Sequence, residues 1–327
     1  YCQRIATDAM GMRLVPVGSK STFVDPTLRI TLNNNVKQNI FVLDPEMNLG
    51  LDLVETIIIG ACSKRGLGYR VVVVAPENDP TWRLAQTKWQ ALRKLFPNYE
   101  VMTSLTSIAN LFRQAEEGNL ASSAPVLIVV LGLEQLSQQM SRAQYEFERV
   151  KQKKQQSSVS AFSAAMARYE NHQKGQSEEE KTSPDDAREL MARVIQWGSL
   201  NDVHICMLST SVPSLNKVLG TRGLDMAELF AHRFATHADR MKLVSIGMKS
   251  NASLLQPEEA EIKMVYHTPS DHEFFFRPYL VEDIAKTILP EMAEPSEIEP
   301  VSRESTALPS DFSTTARNDR GESEWLW

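Results

Sequence analysis

Residues 44–52 follow a short apolar run and precede an apolar stretch of helical length, which is where a nucleotide-binding protein places its phosphate loop. Such a loop needs glycine amides around the phosphates, then a Lys and a Ser or Thr for phosphate and Mg²⁺. Laid ungapped on G-x-x-x-x-G-K-[ST], the segment puts Asp44, Leu49, Gly50 and Leu51 at the four defining positions. None of these residues matches the pattern.

The charge of this segment also opposes phosphate binding. Asp44, Glu46 and Asp52 place negative charge where a triphosphate needs donors and positive charge. We therefore expect no cofactor here, and ATP with Mg²⁺ only if the binding mode is divergent. The residues of this degenerate loop that would face a nucleotide are Asp44, Asn48, Leu49, Gly50 and Leu51.

A second position that could do phosphoryl chemistry is the end of the apolar run 125–131. A strand of this kind should end in an acid that holds Mg²⁺ and activates water, but Leu131 stands there. Glu134 is the only nearby substitute. Without an acid, this strand cannot support metal-assisted hydrolysis.

Other site chemistries find little support. The pairs His232/His237 and His267/His272 are each five residues apart, which fits neither a helical pair nor a zinc pattern, so we expect no metal site. Three widely spaced cysteines favour a reducing compartment over a disulfide framework. G-x-S-x-G is absent.

The composition is that of a globular chain that folds without disulfide bonds or structural metal ions. The 327 residues are 42% hydrophobic and 23% charged, and no apolar run approaches the roughly 20 residues of a membrane helix. The chain begins Tyr1-Cys2-Gln3 with no initiator Met and no signal pattern, so we interpret it as part of a longer polypeptide. We expect a cytoplasmic protein without direct membrane contact from this segment.

The net charge of -6 lies entirely in the C-terminal segment, since residues 291–327 contain nine acids and three bases. The remaining residues are neutral overall. Because DNA binding relies on clustered Lys and Arg, this neutrality gives no support to a DNA-binding surface.

Apolar strands alternate with amphipathic helices over most of the chain, a pattern typical of an α/β domain with a mostly parallel sheet flanked by helices. The predicted strands are 40–43, 69–75, 124–131 and 203–209, and the predicted helices are 51–62, 81–95 and 104–117, the last ending at Gly118. The first 290 residues form the predicted domain.

Two segments depart from that pattern. Residues 137–184 are rich in Gln, Ser, Lys and Glu, and we interpret them as a helical, partly disordered insertion. It is either a partner-binding arm or a solvated hairpin. Residues 291–327 are predicted to be a disordered acidic tail. Because exposed aromatic residues need cover, its last residues are a candidate docking peptide: Trp325, Leu326 and Trp327.

The order of motifs over residues 10–290 resembles the C-terminal ATPase modules of FtsK/SpoIIIE-type proteins, including the type VII secretion ATPases EssC and EccC. The segments that carry this resemblance are Leu14–Gly18, Gln196–Ile205, Leu208–Ser214, Leu229–Ala235, Asp239–Arg240 with Gly247, Ala252–Leu255, and Glu273–Tyr279. The resemblance implies a RecA-like P-loop ATPase fold that opens on the first of these segments and closes on an edge strand in the last.

The resemblance also implies further site residues. Thr210 and Ser211 occupy the nucleotide-sensing turn, with Ser211 replacing the usual Gln. Arg233 and Arg240 could reach a neighbouring subunit's nucleotide, or could cap a helix or pair with Asp239 or Asp225.

Three functions remain open. The first is a catalytically degenerate domain with a structural, regulatory or substrate-recognition role in a motor or secretion assembly. Its partners would be other ATPase modules of the same or neighbouring chains, and a secretion substrate or another protein. The second is a divergent but active DNA translocase module, and the third is an accessory nucleic-acid-binding subunit that uses the insertion.

Overall fold

The computed structural model describes residues 14–20, 27–47, 49–62, 68–89, 99–157, 184–219 and 229–280. Asn48 and the tail with Trp325, Leu326 and Trp327 lie outside these ranges. The strands are β1 Leu14–Lys20, β2 Thr27–Thr31, β3 Ile40–Leu43, β4 Arg70–Val74, β5 Tyr99–Met102, β6 Val126–Val130, β7 Val203–Ser209, β8 His232–Ala235, β9 Met264–His267 and β10 Glu273–Pro278.

The helices cover both faces of the sheet that these strands form. They are α1 Leu49–Cys62, α2 Pro80–Lys88, α3 Leu105–Glu116, α4 Leu133–Ser157, α5 Pro184–Trp197, α6 Val212–Leu219, α7 Arg240–Ser245 and α8 Pro257–Ala260, with 3-10 turns at Gly198–Asn201 and Ser250–Leu254. Among the described residues, no helix is long and apolar enough to cross a membrane.

The ten strands form one sheet in the order β2-β1-β10-β9-β8-β3-β7-β6-β4-β5. The six strands from β8 to β5 are parallel, and the other pairings are antiparallel. Parallel neighbours need crossover connections, which the helices supply. The parallel half therefore has the α/β architecture that the sequence predicts.

Side chains alternate between two cores because successive residues of a strand point to opposite faces. In β3, Ile40 and Val42 pack with α1 and α2, whereas Phe41 and Leu43 pack with α3, α4, α5 and α6. Both faces of β3 are thus buried, as its continuous apolar sequence requires.

The strands predicted at 40–43, 69–75, 124–131 and 203–209 are confirmed within a residue or two. The sequence patterns did not single out β2, β5 and β9, which are short or mixed in polarity. The expectation that the last strand is an edge is wrong. β10 pairs with β9 on one side and with β1 on the other, because the β1–β2 hairpin extends the sheet beyond it.

The predicted helices are also present, with two adjustments. The second one ends at Lys88 within the described residues, and its Leu84 is 43% exposed. The predicted insertion at 137–184 begins inside α4, a single helix of 25 residues that starts right after β6. Residues 158–183 are outside the described ranges.

One buried acid departs from the pattern of apolar residues in α1. Glu55 is fully buried, and burial raises its pKa to about 8, with the charge of Asp52 adding to the effect and Lys88 and Trp89 opposing it. Because the pKa is higher in the folded state than in the unfolded chain, the folded protein holds the proton over a wider pH range.

We predict that this proton makes stability fall as pH rises from about 5 to 8. The contribution is fully present below the unfolded pKa and is lost as pH approaches the folded pKa. Glu55→Gln keeps the neutral shape, so its free energy of unfolding should exceed that of the wild type increasingly toward pH 8, by an amount on the order of a few kcal/mol. Urea unfolding at pH 5, 6, 7 and 8 measures this. The control is Glu100→Gln, a substitution at an exposed acid. If the free energy of unfolding changes equally with pH in the wild type and in Glu55→Gln, the prediction is contradicted.

Candidate functional site

The carboxyl ends of the central parallel strands meet at one edge of the sheet, where α/β proteins bind ligands. The loop that leaves β3 is fixed there by both neighbouring strands. The Asp44 N–H donates to the Ser209 carbonyl at the end of β7 (2.9 Å), and the Thr236 N–H after β8 donates to the Leu43 carbonyl (3.1 Å). The loop thus leads from β3 directly to the first turn of α1.

The Asp44 side chain turns into this loop and is buried. Its Oδ2 accepts a hydrogen bond from the Gly50 N–H (2.7 Å), and its Oδ1 accepts from the Glu46 N–H (3.2 Å) and the Thr236 hydroxyl (3.0 Å). Free amides at the start of a helix form an anion site, because they point outward at the positive end of the helix dipole. A carboxylate of the chain itself occupies two of the amides that an external phosphate would use.

Close packing fixes the three residues that begin α1. A Cβ atom on Gly50 would lie 2.7 Å from Leu208 Cδ1 and 2.8 Å from Asp44 Cβ, so no larger residue fits without movement. Leu49 and Leu51 are buried in the core. The position that holds Lys in a phosphate loop is therefore sterically closed, and the position that holds Ser or Thr points into an apolar interior.

The charge around the loop differs in one respect from the sequence-based expectation. Asp52 pairs with Lys88 of α2, with 2.8 Å between its Oδ1 and the Nζ, so a neighbour balances its charge. Asp52 therefore adds less negative charge to the loop than it would without this partner.

The next strands bring two predicted residues together. Leu131, after β6, is fully buried and offers no ligand, while Glu134 is exposed in the first turn of α4. The hydroxyl of Thr210, which directly follows β7, donates to Glu134 Oε1. The candidate acid and the candidate sensor thus contact each other at the same sheet edge as Asp44.

The other sensor residue belongs to a polar turn. The Ser209 hydroxyl donates to the Ser211 carbonyl (2.7 Å) and accepts from the Ser211 N–H (3.1 Å). The Ser211 and Ser214 hydroxyls lie 2.9 Å apart. These contacts hold the start of α6 against the end of β7, and they engage the Ser211 side chain within the turn.

The sequence analysis did not single out Asp79, which lies next to the loop that follows β6. It caps α2 by accepting from the Trp82 N–H (2.9 Å), and Gly132, with φ of 64°, packs against it. A Cβ on Gly132 would come within 2.4 Å of Asp79 Cγ. Burial raises the pKa of Asp79, and Glu134 adds to the rise. The Asp79-Pro80 pair could have been recognised from the sequence, because Asp followed by Pro is typical of a helix start.

The two arginines occupy different environments. Arg233 is 7% exposed in β8, and its Nη1 donates to the Phe230 carbonyl (3.0 Å). A reach toward a neighbouring subunit does not fit Arg233, because its guanidinium is used inside the fold. Arg240 is exposed at the start of α7, where Asp239 caps the helix by accepting from the Met241 N–H (2.8 Å). Asp225, the other acid considered as an arginine partner, lies outside the described residues.

The histidines of β7 and β8 contact other groups inside the fold. His232 Nδ1 lies 2.7 Å from the Tyr266 hydroxyl and its Nε2 lies 2.8 Å from the Thr31 carbonyl, while burial lowers its pKa to about 4. His204 Nδ1 lies 2.9 Å from the Gln38 carbonyl. Across the described ranges, no three His, Cys, Asp or Glu residues are grouped so that they could hold a metal ion.

No protein-family model matches the sequence, and no curated protein is significantly similar to it. Among solved structures, the fold is similar to the pCW3 conjugation coupling protein TcpA, solved as a monomer with ATPγS, with a TM-score of 0.56 and 12% identity. The match covers 89% of this chain and 72% of TcpA. The cytoplasmic domain of the Thermomonospora curvata type VII secretion ATPase EccC is also similar, with a TM-score of 0.49, 12% identity, and coverage of 82% of this chain and 28% of EccC.

The chain thus has a RecA-like ATPase fold, with its mixed α/β sheet, and shares this fold with TcpA. The resemblance to FtsK/SpoIIIE-type ATPases that the motif order indicates is confirmed at the level of the fold. The Asp44 contacts lie between β3 and α1, the strand and helix between which the sequence comparison places the phosphate loop.

We predict that Asp44→Ala destabilises the protein, because it leaves the Gly50 and Glu46 amides and the Thr236 hydroxyl without their acceptor. The expected loss is about 1–3 kcal/mol in the free energy of unfolding. Urea unfolding at pH 7 measures it. Glu46→Ala removes an acid from the same loop but none of these acceptors, and should stay within about 0.5 kcal/mol of the wild type. Equal stability of wild type and Asp44→Ala would show that these hydrogen bonds have no net effect.

Proposed function

We propose that this chain is an ATPase-fold domain that does not hydrolyse ATP and that serves a structural or regulatory role beside active modules of a motor or secretion assembly. One observation carries the proposal: the Asp44 carboxylate accepts hydrogen bonds from the Gly50 N–H in the first turn of α1 and from the Glu46 N–H in the loop before it. An incoming phosphate would have to displace this carboxylate and then lie beside its charge.

Two further positions support the same conclusion. Hydrolysis needs a cation to neutralise the transferred phosphoryl group and an acid to hold Mg²⁺. Gly50 stands at the Lys position with no room for a side chain, and buried Leu131 stands at the acid position. Glu134 keeps a carboxylate at the edge, but Thr210 already contacts it. Losses at separate strands are more consistent with a relaxed catalytic requirement than with one altered residue.

The second candidate function is ATP binding by a divergent mode, and the similarity in fold to TcpA, which was solved with ATPγS, favours it. For this chain, such a mode would require Asp44 to leave the amides of α1 or a nucleotide to bind away from them. Binding measurements on two matched variants distinguish these cases.

We predict that a fluorescent ATP analogue with Mg²⁺ does not bind the wild-type chain saturably at micromolar concentrations. Asp44→Ala should bind it at least about tenfold more tightly than wild type, because the variant exposes the amides and removes the local charge. Glu46→Ala removes an equal charge but leaves the amides occupied, so it should gain less. Fluorescence anisotropy titration with each full-length variant measures these affinities.

Two results would overturn the proposal. Micromolar, Mg²⁺-dependent binding by the wild type that is lost in Asp44→Ala would mean that Asp44 supports nucleotide binding. Equal gains in Asp44→Ala and Glu46→Ala would mean that net charge, and not occupancy of the amides, controls access.

A further inference from the structure

A cavity of about 550 Å³ lies on the antiparallel half of the sheet. β1 and β10 form one wall, and the 3-10 turn before α8 forms another. Its principal lining residues are Lys20, Leu254, Glu259, Lys263, Phe275 and Arg277. Ligand sites in proteins typically measure about 300–1,000 Å³, so this cavity can hold large side chains.

Two large apolar side chains in this cavity remain open to solvent. Leu254 is 67% exposed and Phe275 is 46% exposed. Burying such side chains would contribute roughly 25 cal/mol for each Å² of apolar surface removed from water. The cavity therefore favours an apolar or aromatic occupant.

The rim of the cavity is positively charged. Neither Arg277 nor Lys20 forms an ion pair with any residue in the described ranges, and the Lys20 Nζ lies 5.4 Å from the Phe274 ring centroid. Lys263 pairs with Glu259, with 2.9 Å between Nζ and Oε1, which balances the acid of the cavity. The unbalanced charge thus belongs to Lys20 and Arg277, so an acidic occupant would be attracted.

The chain itself contains a segment with both properties. Residues 322–327 read Glu-Ser-Glu-Trp-Leu-Trp, and they end a segment, 291–327, with nine acids and three bases. We propose that Trp325, Leu326 and Trp327 bind in this cavity of the same chain, with Glu322 and Glu324 near Arg277 and Lys20. This proposal does not depend on the proposed function of the sheet edge.

The length of the connection permits this contact. The last described residue, Leu280, lies two residues beyond β10, which forms a cavity wall, and 41 residues separate it from Glu322. A random coil of 41 residues would have an r.m.s. span of roughly 35 Å, which would allow its end to return to the cavity. Tethering gives an effective concentration up to about millimolar, so a segment that binds with micromolar affinity would occupy the cavity most of the time.

The test is a competition between the tail and a labelled peptide of residues 318–327 added to the full chain. In the double variant Trp325→Ala/Trp327→Ala the cavity is open, so the peptide should bind with micromolar affinity and more weakly as salt increases. Wild type should bind it at least about tenfold more weakly, because its own tail competes. Anisotropy titration measures both.

Two substitutions in the double variant locate the site. Leu254→Asp should abolish peptide binding, whereas Leu200→Asp, at a similarly exposed leucine outside the cavity (49%), should leave it unchanged. Arg277→Glu should weaken binding at least about fivefold. No peptide binding to the double variant, or equal binding to wild type and double variant, would overturn the proposal.

Sedimentation of the wild type distinguishes the same chain from a second copy as the source of the occupant. We expect a monomer at the concentrations used for the titration. A dimer that becomes monomeric in Trp325→Ala/Trp327→Ala would mean that the tail binds a partner copy, and would overturn the intrachain proposal.

Discussion

The hydrogen bond from the Gly50 amide to the Asp44 carboxylate joins the end of β3 to the start of α1. Asp44 is also anchored by Ser209 of β7 and by the Thr236 hydroxyl after β8, so one residue links three neighbouring strands to one helix. Most of α1 is buried, and its first amides need acceptors within the protein because little water reaches them. The Asp44 carboxylate therefore accepts hydrogen bonds from backbone N–H groups that a bound phosphate would accept in a nucleotide-binding loop.

The same constraint shapes the rest of the sheet edge. With Asp44 in place, Gly50 must approach it closely, and no cationic side chain can stand at that point. Farther along the edge, Thr210 contacts Glu134, and Gly132 packs on the capping residue Asp79. Polar groups at this edge thus make their hydrogen bonds largely to one another. An arrangement of this kind stabilises the strand ends without a ligand, which is the physical basis of the proposed non-hydrolysing role.

The antiparallel half of the sheet supplies a different kind of surface. β9, β10, β1 and β2 extend the sheet beyond β8, and they leave open the cavity with exposed Phe275. Exposed aromatic and leucine side chains lie there beside Lys20 and Arg277, which form no ion pair within the described ranges, and this surface matches an acidic, tryptophan-containing segment in chemistry. The two surfaces lie on different parts of one sheet, so the first can hold the fold together while the second binds a peptide.

The sequence by itself determined the parallel half of the fold and the absence of a matched phosphate loop. Short apolar runs such as 40–43 and 203–209 are recognisable because strands covered on both faces must be apolar throughout. Asp44, Gly50 and Leu131 could be judged position by position against a motif, since each motif position has its own chemistry. The interior position of β10 could not be read in this way, because it depends on the β1–β2 hairpin, which pairs beyond it.

Only the tertiary structure decided what the mismatched residues do. A sequence pattern gives the charge of Asp44 but not the atoms that it contacts, and Thr236 lies 192 residues away. For the same reason the sequence could not tell that Arg233 turns inward or that Lys88 balances Asp52. Residue type fixes which interactions a side chain can make. Which of them form depends on which strand ends the fold brings together.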